Sequence, residues 1–167
     1  MDQHAGDTEQ IFPPREHMLK DKISEDLKKA MKAGDKTRVE TLRTLRAALM
    51  EKEIEKRGTA SGMNPDDELG VLASAVKKRR ESIEHFEKAG RTELVAQESK
   101  EIEIIQEYLP KQLSDAEVLA VVDEVLSSTG AKTSGDFGKV MPLVMRQLKG
   151  KADGRRIQEL VRERLGA

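Results

Sequence analysis

Leu109–Glu117, read LPKQLSDAE, decides how this 167-residue chain is divided. Pro110 has no backbone N–H, and it pushes the residue before it out of the helical region. Four residues on, Ser114-Asp115-Ala116-Glu117 has the S-x-x-E form of a capping box, which starts a helix. One helix therefore ends before this stretch and another opens within it. The reading that follows is an all-α protein with an N-terminal helical bundle over residues 18–109, a linker at 110–113 and a smaller three-helix C-terminal domain over 114–167. Residues 1–17 have no hydrophobic period and are expected to form a flexible extension, with Met18 an alternative start.

Towards the N-terminus, apolar residues recur at steps of three and four. The first helix is expected over about Leu19–Ala33, with Leu19, Ile23, Leu27, Ala30 and Met31 on one stripe and Gly34 closing it. The second, about Lys36–Arg57, carries Val39, Leu42, Leu45 and Leu49. After a polar break at Gly58–Met63, Asn64-Pro65-Asp66-Asp67 supplies a cap, a proline at the first helical position and acids in the first turn. Helix three then runs to about Lys88, with Leu69, Leu72, Val76, Ile83 and Phe86 inward and Gly90 as its stop. Helix four, about Thr92–Tyr108, is carried by Leu94, Val95, Ile102 and Ile105.

Towards the C-terminus, helix five opens at Ser114. Helix six spans about Phe137–Leu148 and contains Pro142; a start near Lys139 puts this proline in the first turn, and an earlier start predicts a kink. Helix seven runs from an Asp153 cap to about Leu165, with Ile157, Leu160 and Val161 inward.

Composition narrows the function. Aromatic residues make up 2% of the chain, too few for a sheet protein's core or for base-stacking platforms. The absence of Cys removes disulfides, zinc–thiolate sites and Cys nucleophiles. No apolar run approaches a membrane span. The N-terminal stretch MDQHAGDTEQIFPPREH has four acids against one arginine and no apolar segment, so a cytoplasmic location is expected, with no membrane partner. His4 and His17 lie in that extension. His85 lies opposite the apolar stripe of helix three with Glu81 one turn before it, and no nucleophile accompanies the pair. No catalytic or metal-ligating residue is assigned, and no cofactor.

The net charge of −1 is not that of a general nucleic-acid binder, but its distribution is uneven. Ser114–Gly130 holds four acids and no base, whereas Ala131–Ala167 holds nine bases and four acids. Lys139 and Arg146 are seven residues apart, opposite a stripe of Phe137, Met141, Val144 and Leu148; Arg155 and Arg162 are likewise seven apart, opposite Ile157 and Val161. Between these helices lies KGKADGRR, with Lys149, Lys151 and Arg156. Two glycines and a helix N-terminus make a corner that could take a phosphate. Asp153 would occupy that same N-terminus as a cap, so a phosphate contact and an ordinary capped turn both stand. Lys77-Lys78-Arg79-Arg80 is read structurally: Arg79 flanks the apolar stripe and is expected to reach an acid on a neighbouring helix, Glu53 being the candidate.

Three segments carry a resemblance: DKTRVETLRTLRAALMEKEIEKRG (35–58), KKRRESIEHFEKAGRTELVAQESKEIEIIQEYLPKQLS (77–114) and FGKVMPLVMRQLKGKADGRRIQELVRERL (137–165). Together they resemble the YqeY family, whose signature also forms the tail of the GatB subunit of the glutamine-dependent Asp/Glu-tRNA amidotransferase; the likeness covers about Met18–Ala167. The resemblance implies a two-part helical fold and a module that contacts the body of tRNA, beside an aminoacyl-tRNA-modifying complex or another protein. Carried over to the GKVM and KGKADGRR matches, it implies RNA-facing roles for Lys139, Lys149, Lys151, Arg155 and Arg156, which the helix-face reading extends to Arg146. The family's association with carbon–nitrogen ligase chemistry, glutamine being the amide donor, finds no catalytic apparatus in this chain. The competing expectation is a helical protein-interaction module with no nucleic-acid role.

Overall fold

A computed structural model of the chain describes residues 19–60 and 62–166. The expected extension over residues 1–17, with His4 and His17, lies outside the described residues, as does Met18. Among those described, the fold is all-α, with α1 (Leu19–Ala33), α2 (Lys36–Lys56), α3 (Pro65–Lys88), α4 (Thr92–Gln106), α5 (Asp115–Thr129), α6 (Phe137–Leu148) and α7 (Gly154–Leu165).

The start signals act as their chemistry requires. The Asn64 side chain accepts from the Asp67 N–H while the Asp67 carboxylate accepts from the Asn64 N–H, so two of the orphan donors of α3 are satisfied at once. Ser114 and Glu117 make the same reciprocal box at α5, and Asp35 and Asp153 cap α2 and α7 through the Arg38 and Arg156 amides. α6 begins at Phe137, so Pro142 sits past its first turn and removes one bond from the helix.

The buried side chains form two separate clusters. One gathers Ile23 and Leu27 of α1, Leu42, Leu45 and Leu49 of α2, Leu72 and Val76 of α3, and Ile102, Ile104 and Ile105 of α4 with Tyr108. The other gathers Val118, Val122 and Val125 of α5, Val140, Val144 and Leu148 of α6, and Ile157, Leu160, Val161 and Leu165 of α7. Each fully buried Leu, Ile or Val contributes about 1.5–3 kcal/mol relative to exposure. Tyr108 adds a polar tie to the first cluster by donating from its hydroxyl to Asp26 Oδ2 at 2.6 Å.

Two inward assignments and one pairing need correction. Met31 is 54% exposed, because α1 ends with Ala30 on the core and the next residue points about 100° further round. The buried centre of α6 is Val140, Val144 and Leu148, and Phe137 and Met141 flank it half-buried, since α6 is covered by α5 on one side and α7 on the other. Arg79 does meet an acid on a neighbouring helix, but it is Glu101 of α4 at 2.8 Å. Glu53 pairs with Lys20 across the α1–α2 hairpin at 2.6 Å, since its side of α2 faces α1.

Candidate functional site

The KGKADGRR segment is where the two clusters meet. Gly150 is buried with a φ of 74°, a left-handed conformation that glycine adopts without a Cβ penalty. A Cβ there would lie 3.6–3.7 Å from Leu69 of α3 and from Leu109 and Pro110. The flanking carbonyls are taken by the linker. Gln112 Nε2 donates to the Gly150 carbonyl at 2.8 Å and to the Pro110 carbonyl at 2.9 Å, and the Leu113 amide donates to the Lys151 carbonyl at 2.8 Å.

Charged side chains extend the joint. Asp153 Oδ1 caps α7 and its Oδ2 accepts from Arg80 of α3 at 2.5 Å. Burial alone would raise the Asp153 carboxyl, yet the Arg156 amide and the Arg80 guanidinium together hold it below the usual carboxylate range. Arg155 donates to Glu84 of α3 at 2.6 Å. Arg156 forks onto Asp115 of α5 at 2.7 and 3.1 Å and also reaches Glu159 at 2.9 Å, and it pulls the Asp115 carboxyl down. Further along α7, Arg164 takes Asp123 of α5 at 2.8 Å, and Arg162 lies over the Phe137 ring, 5.0 Å from its centroid. Asp115 and Asp123 of α5 therefore sit against Arg156 and Arg164 of α7.

The six sequence-selected cations thus divide. Arg155 and Arg156 are engaged by carboxylates. Lys139, Arg146, Lys149 and Lys151 are exposed and have no carboxylate at ion-pair distance among the described residues, although Lys139 exerts a distant pull on Asp136. Lys149 lays its side chain across α3, where Gly70 leaves room: a Cβ on Gly70 would meet its Cε at 3.4 Å. Beneath Lys149 a cleft of about 500 Å³ separates α3 from the α6–α7 turn, lined among others by Lys77, Arg80, Gln112, Lys149, Asp153 and Arg155. Because Asp153 fills the N-terminus of α7, a phosphate would have to displace this residue's own carboxylate to reach those amides.

The partners Glu84, Arg80 and Gln112 were not selected from sequence. They lie 71, 73 and 38 positions from the groups they bind, and no local pattern links them. His85 is exposed on α3. No group of three or more His, Cys, Asp or Glu side chains converges to hold a metal among the described residues, and among them no helix is long and apolar enough to cross a membrane.

Residues 20–165 match the family model described as Yqey-like protein. Curated relatives carry the name Altered inheritance of mitochondria protein 41, mitochondrial. The one from Eremothecium gossypii is 37% identical over 118 residues, covering 65% of this chain and 62% of its own. The one from Lachancea thermotolerans is 37% identical over 110 residues, covering 63% and 56%. The one from Pyrenophora tritici-repentis is 27% identical over 156 residues, covering 91% and 83%. The chain spans about six-tenths of the length of the first two.

Proposed function

This chain belongs to the YqeY family, and we propose that it serves as a non-catalytic module that grips a folded RNA, tRNA above all, through its phosphates. The observation that carries this reading is the division among the C-terminal cations. Asp115 and Asp123 of α5 neutralise Arg156 and Arg164 of α7, and Glu84 of α3 takes Arg155, whereas Lys139, Arg146, Lys149 and Lys151 keep their charge turned to solvent. Lysine and arginine without an internal partner can meet a phosphate with no ion pair to break, and their counterions are released on binding. With aromatics at 2%, contact is to backbone and shape rather than to bases. The likeness to the amidotransferase tail supports tRNA as the RNA. In this reading any carbon–nitrogen ligation is done by a partner complex. The cytoplasm is the proposed compartment; the relatives' printed names place those proteins in mitochondria, and cell fractionation decides for this chain.

The test measures binding to total tRNA and to an unstructured RNA of similar length across a salt series. If about four phosphates are engaged, raising salt from about 50 to 200 mM weakens binding on the order of 100-fold. Changing Lys139, Arg146, Lys149 and Lys151 together to Glu abolishes it. Arg155→Glu with Arg156→Glu costs less affinity, because those side chains are already committed to Glu84, Asp115 and Glu159. No binding at low salt, or an affinity indifferent to salt, would remove this function.

A further inference from the structure

The cleft beneath Lys149 holds groups that neither the joint nor the RNA grip uses. Gly70, Ser74, Lys77 and Glu81 follow one another at steps of four, three and four residues, so they share one face of α3, and all four line the cleft. The missing side chain of Gly70 admits Lys149 from the opposite wall: its Nζ lies 3.5 Å from where a Cβ on Gly70 would be. Ser74 is one helical turn on from Gly70, about 5–6 Å between Cβ positions, and Lys77 is a turn further. One anion therefore falls within reach of the Ser74 hydroxyl and of both ammonium groups. These groups are uncommitted. Lys77 and Lys149 are exposed, with no carboxylate at ion-pair distance among the described residues. The Ser74 hydroxyl makes no hydrogen bond among those residues, whereas Ser24 and Ser82, also inside helices, donate back to the carbonyl four positions before.

The other charges give the cleft a direction. Lys77, Arg80, Lys149 and Arg155 line it against Glu81 and Asp153, an excess of two positive charges. Arg80 is held by Asp153, and Arg155 by Glu84 just outside the lining. Glu81 has no cation at ion-pair distance among the described residues, but it lies about 10 Å along the α3 axis from Ser74. Gln158 of α7 lines the cleft as well, and Val76, Leu109 and Met145 give it apolar wall. On its other side Lys149 borders a hollow facing α2. There Lys52 holds Glu55, Lys56 holds Asp67 and Glu101 holds Arg79, and the uncommitted Lys78 and Glu51 cancel. An anion gains more in the cleft.

We propose that the cleft binds a small sugar or polyol phosphate, its phosphate at Ser74, Lys77 and Lys149 and its hydroxyls towards Glu81 and Gln158. A phosphomonoester carries a charge of about −1.5 to −2 at neutral pH, which answers the positive excess of the lining. Lysine binds phosphate as a point charge, and a hydroxyl adds a directed donor. At about 500 Å³ the cleft has the size of a small-molecule site. The Glu81 carboxylate and the Gln158 amide suit hydroxyls, whereas a second phosphate at that end would meet Glu81. No aromatic ring lines the cleft to stack a base, which sets a nucleotide aside. Lys149 is shared with the RNA reading; Ser74, Lys77 and Glu81 belong to the cleft, so the proposal does not rest on that reading.

Isothermal titration calorimetry of the full chain tests this with ribose 5-phosphate, ribose and inorganic phosphate as probes. Ribose 5-phosphate is expected to bind at least about tenfold more tightly than either of the others. Ser74→Ala with Lys77→Ala, both at exposed positions, weakens it by at least about tenfold and leaves the circular-dichroism spectrum and the tRNA titration as they were. Glu81→Ala narrows the gap between ribose 5-phosphate and inorganic phosphate, since it removes a partner of the hydroxyls alone. The proposal is overturned if ribose 5-phosphate does not bind, if ribose or inorganic phosphate binds as tightly, or if the double substitution leaves its affinity unchanged. It is equally overturned if that substitution weakens tRNA binding as much as it weakens the sugar phosphate, because Ser74 and Lys77 would then belong to the RNA contact.

Discussion

Two turns of this molecule look alike in sequence and do different work. Between α3 and α4 the chain reads EKAGRT (87–92); between α6 and α7 it reads KGKADGRR (149–156). Each sets a lysine and an arginine around a glycine of positive φ, 66° at Gly90 and 74° at Gly150. The first turn closes on itself: the Gly90 amide donates to the Glu87 carbonyl and the Arg91 amide to the Phe86 carbonyl, and nothing lies within 4 Å of where a Cβ on Gly90 would be. The second gives its carbonyls to Gln112 and Leu113 and buries Gly150 among Leu69, Leu109 and Pro110. Left-handed glycine is a local requirement met by both. What makes the second a joint is chain that arrives from elsewhere.

The sharpest way to break that contrast is to put the same side chain at both glycines. Valine is strained at either φ, by about 1–2 kcal/mol, so Gly90→Val should lose roughly that much stability. Gly150→Val adds a branched side chain among three neighbours already in van der Waals contact and should lose about 3 kcal/mol or more. Urea unfolding followed by circular dichroism reads both. Equal losses would mean that the second turn is not held by its burial.

The same contrast extends to the ion pairs of the two regions. Arg79–Glu101 joins α3 to α4 with both side chains about nine-tenths covered, 13% and 14% exposed, whereas Arg155–Glu84 spans the joint with both about half exposed. Their distances are close, 2.8 and 2.6 Å, so solvent screening and not geometry sets the difference. Arg79→Ala leaves a largely covered carboxylate beside Glu98, whose own carboxyl burial and Glu101 already push up, and should cost about 2 kcal/mol. Arg155→Ala should cost about 0.5 kcal/mol or less. A double-mutant cycle at each pair measures the coupling, and comparable values would show that burial is not the deciding variable.

The same division explains what could be read beforehand. The helices were legible because period and caps are local: Ser114 with Glu117, Asn64 with Pro65 and Asp67, and Leu42, Leu45 and Leu49 each encode their element within a few residues. Met31 on α1 and the Phe137–Met141 edge of the α6 stripe lie one step of the helix from the buried Ala30 and Val140, because neighbouring elements, not period, choose which flank is covered. Arg79 was legible as a side chain in search of an acid, but Glu53 and Glu101 sit on different neighbours of α3, and sequence does not say which neighbour Arg79 faces. In the candidate site, the Asp153 cap was readable from its Asp-Gly step. The commitment of Arg155 to Glu84 and of Arg156 to Asp115 was not, since it depends on how α3 and α5 flank α7. The acidic α5 and the basic C-terminal segment are visible in sequence, but that Asp115 and Asp123 neutralise Arg156 and Arg164 depends on how the two helices pack.

The smallest effect expected concerns protons, and it separates the turns once more. The second turn carries a carboxylate, Asp153, held below its usual value of 3.8 against its own burial by the Arg156 amide and Arg80. A carboxyl depressed in the folded state contributes stability that is fully present above its unfolded value and is lost as pH falls through the folded one. Asp153→Asn keeps a capping oxygen and removes the charge, so the wild-type protein should be the more stable at pH 6, and the gap should close as pH falls below about 4. The first turn offers the control. Arg91 begins α4 with no side-chain cap bond, and Arg91→Asn places a non-titrating amide there, so any change it causes should be the same at both pH values. Urea midpoints of the three proteins at pH 6 and near pH 3 decide the matter. A wild-type advantage over Asp153→Asn that persists undiminished in acid would show that Asp153 acts through its shape as a cap and not through its charge towards Arg80.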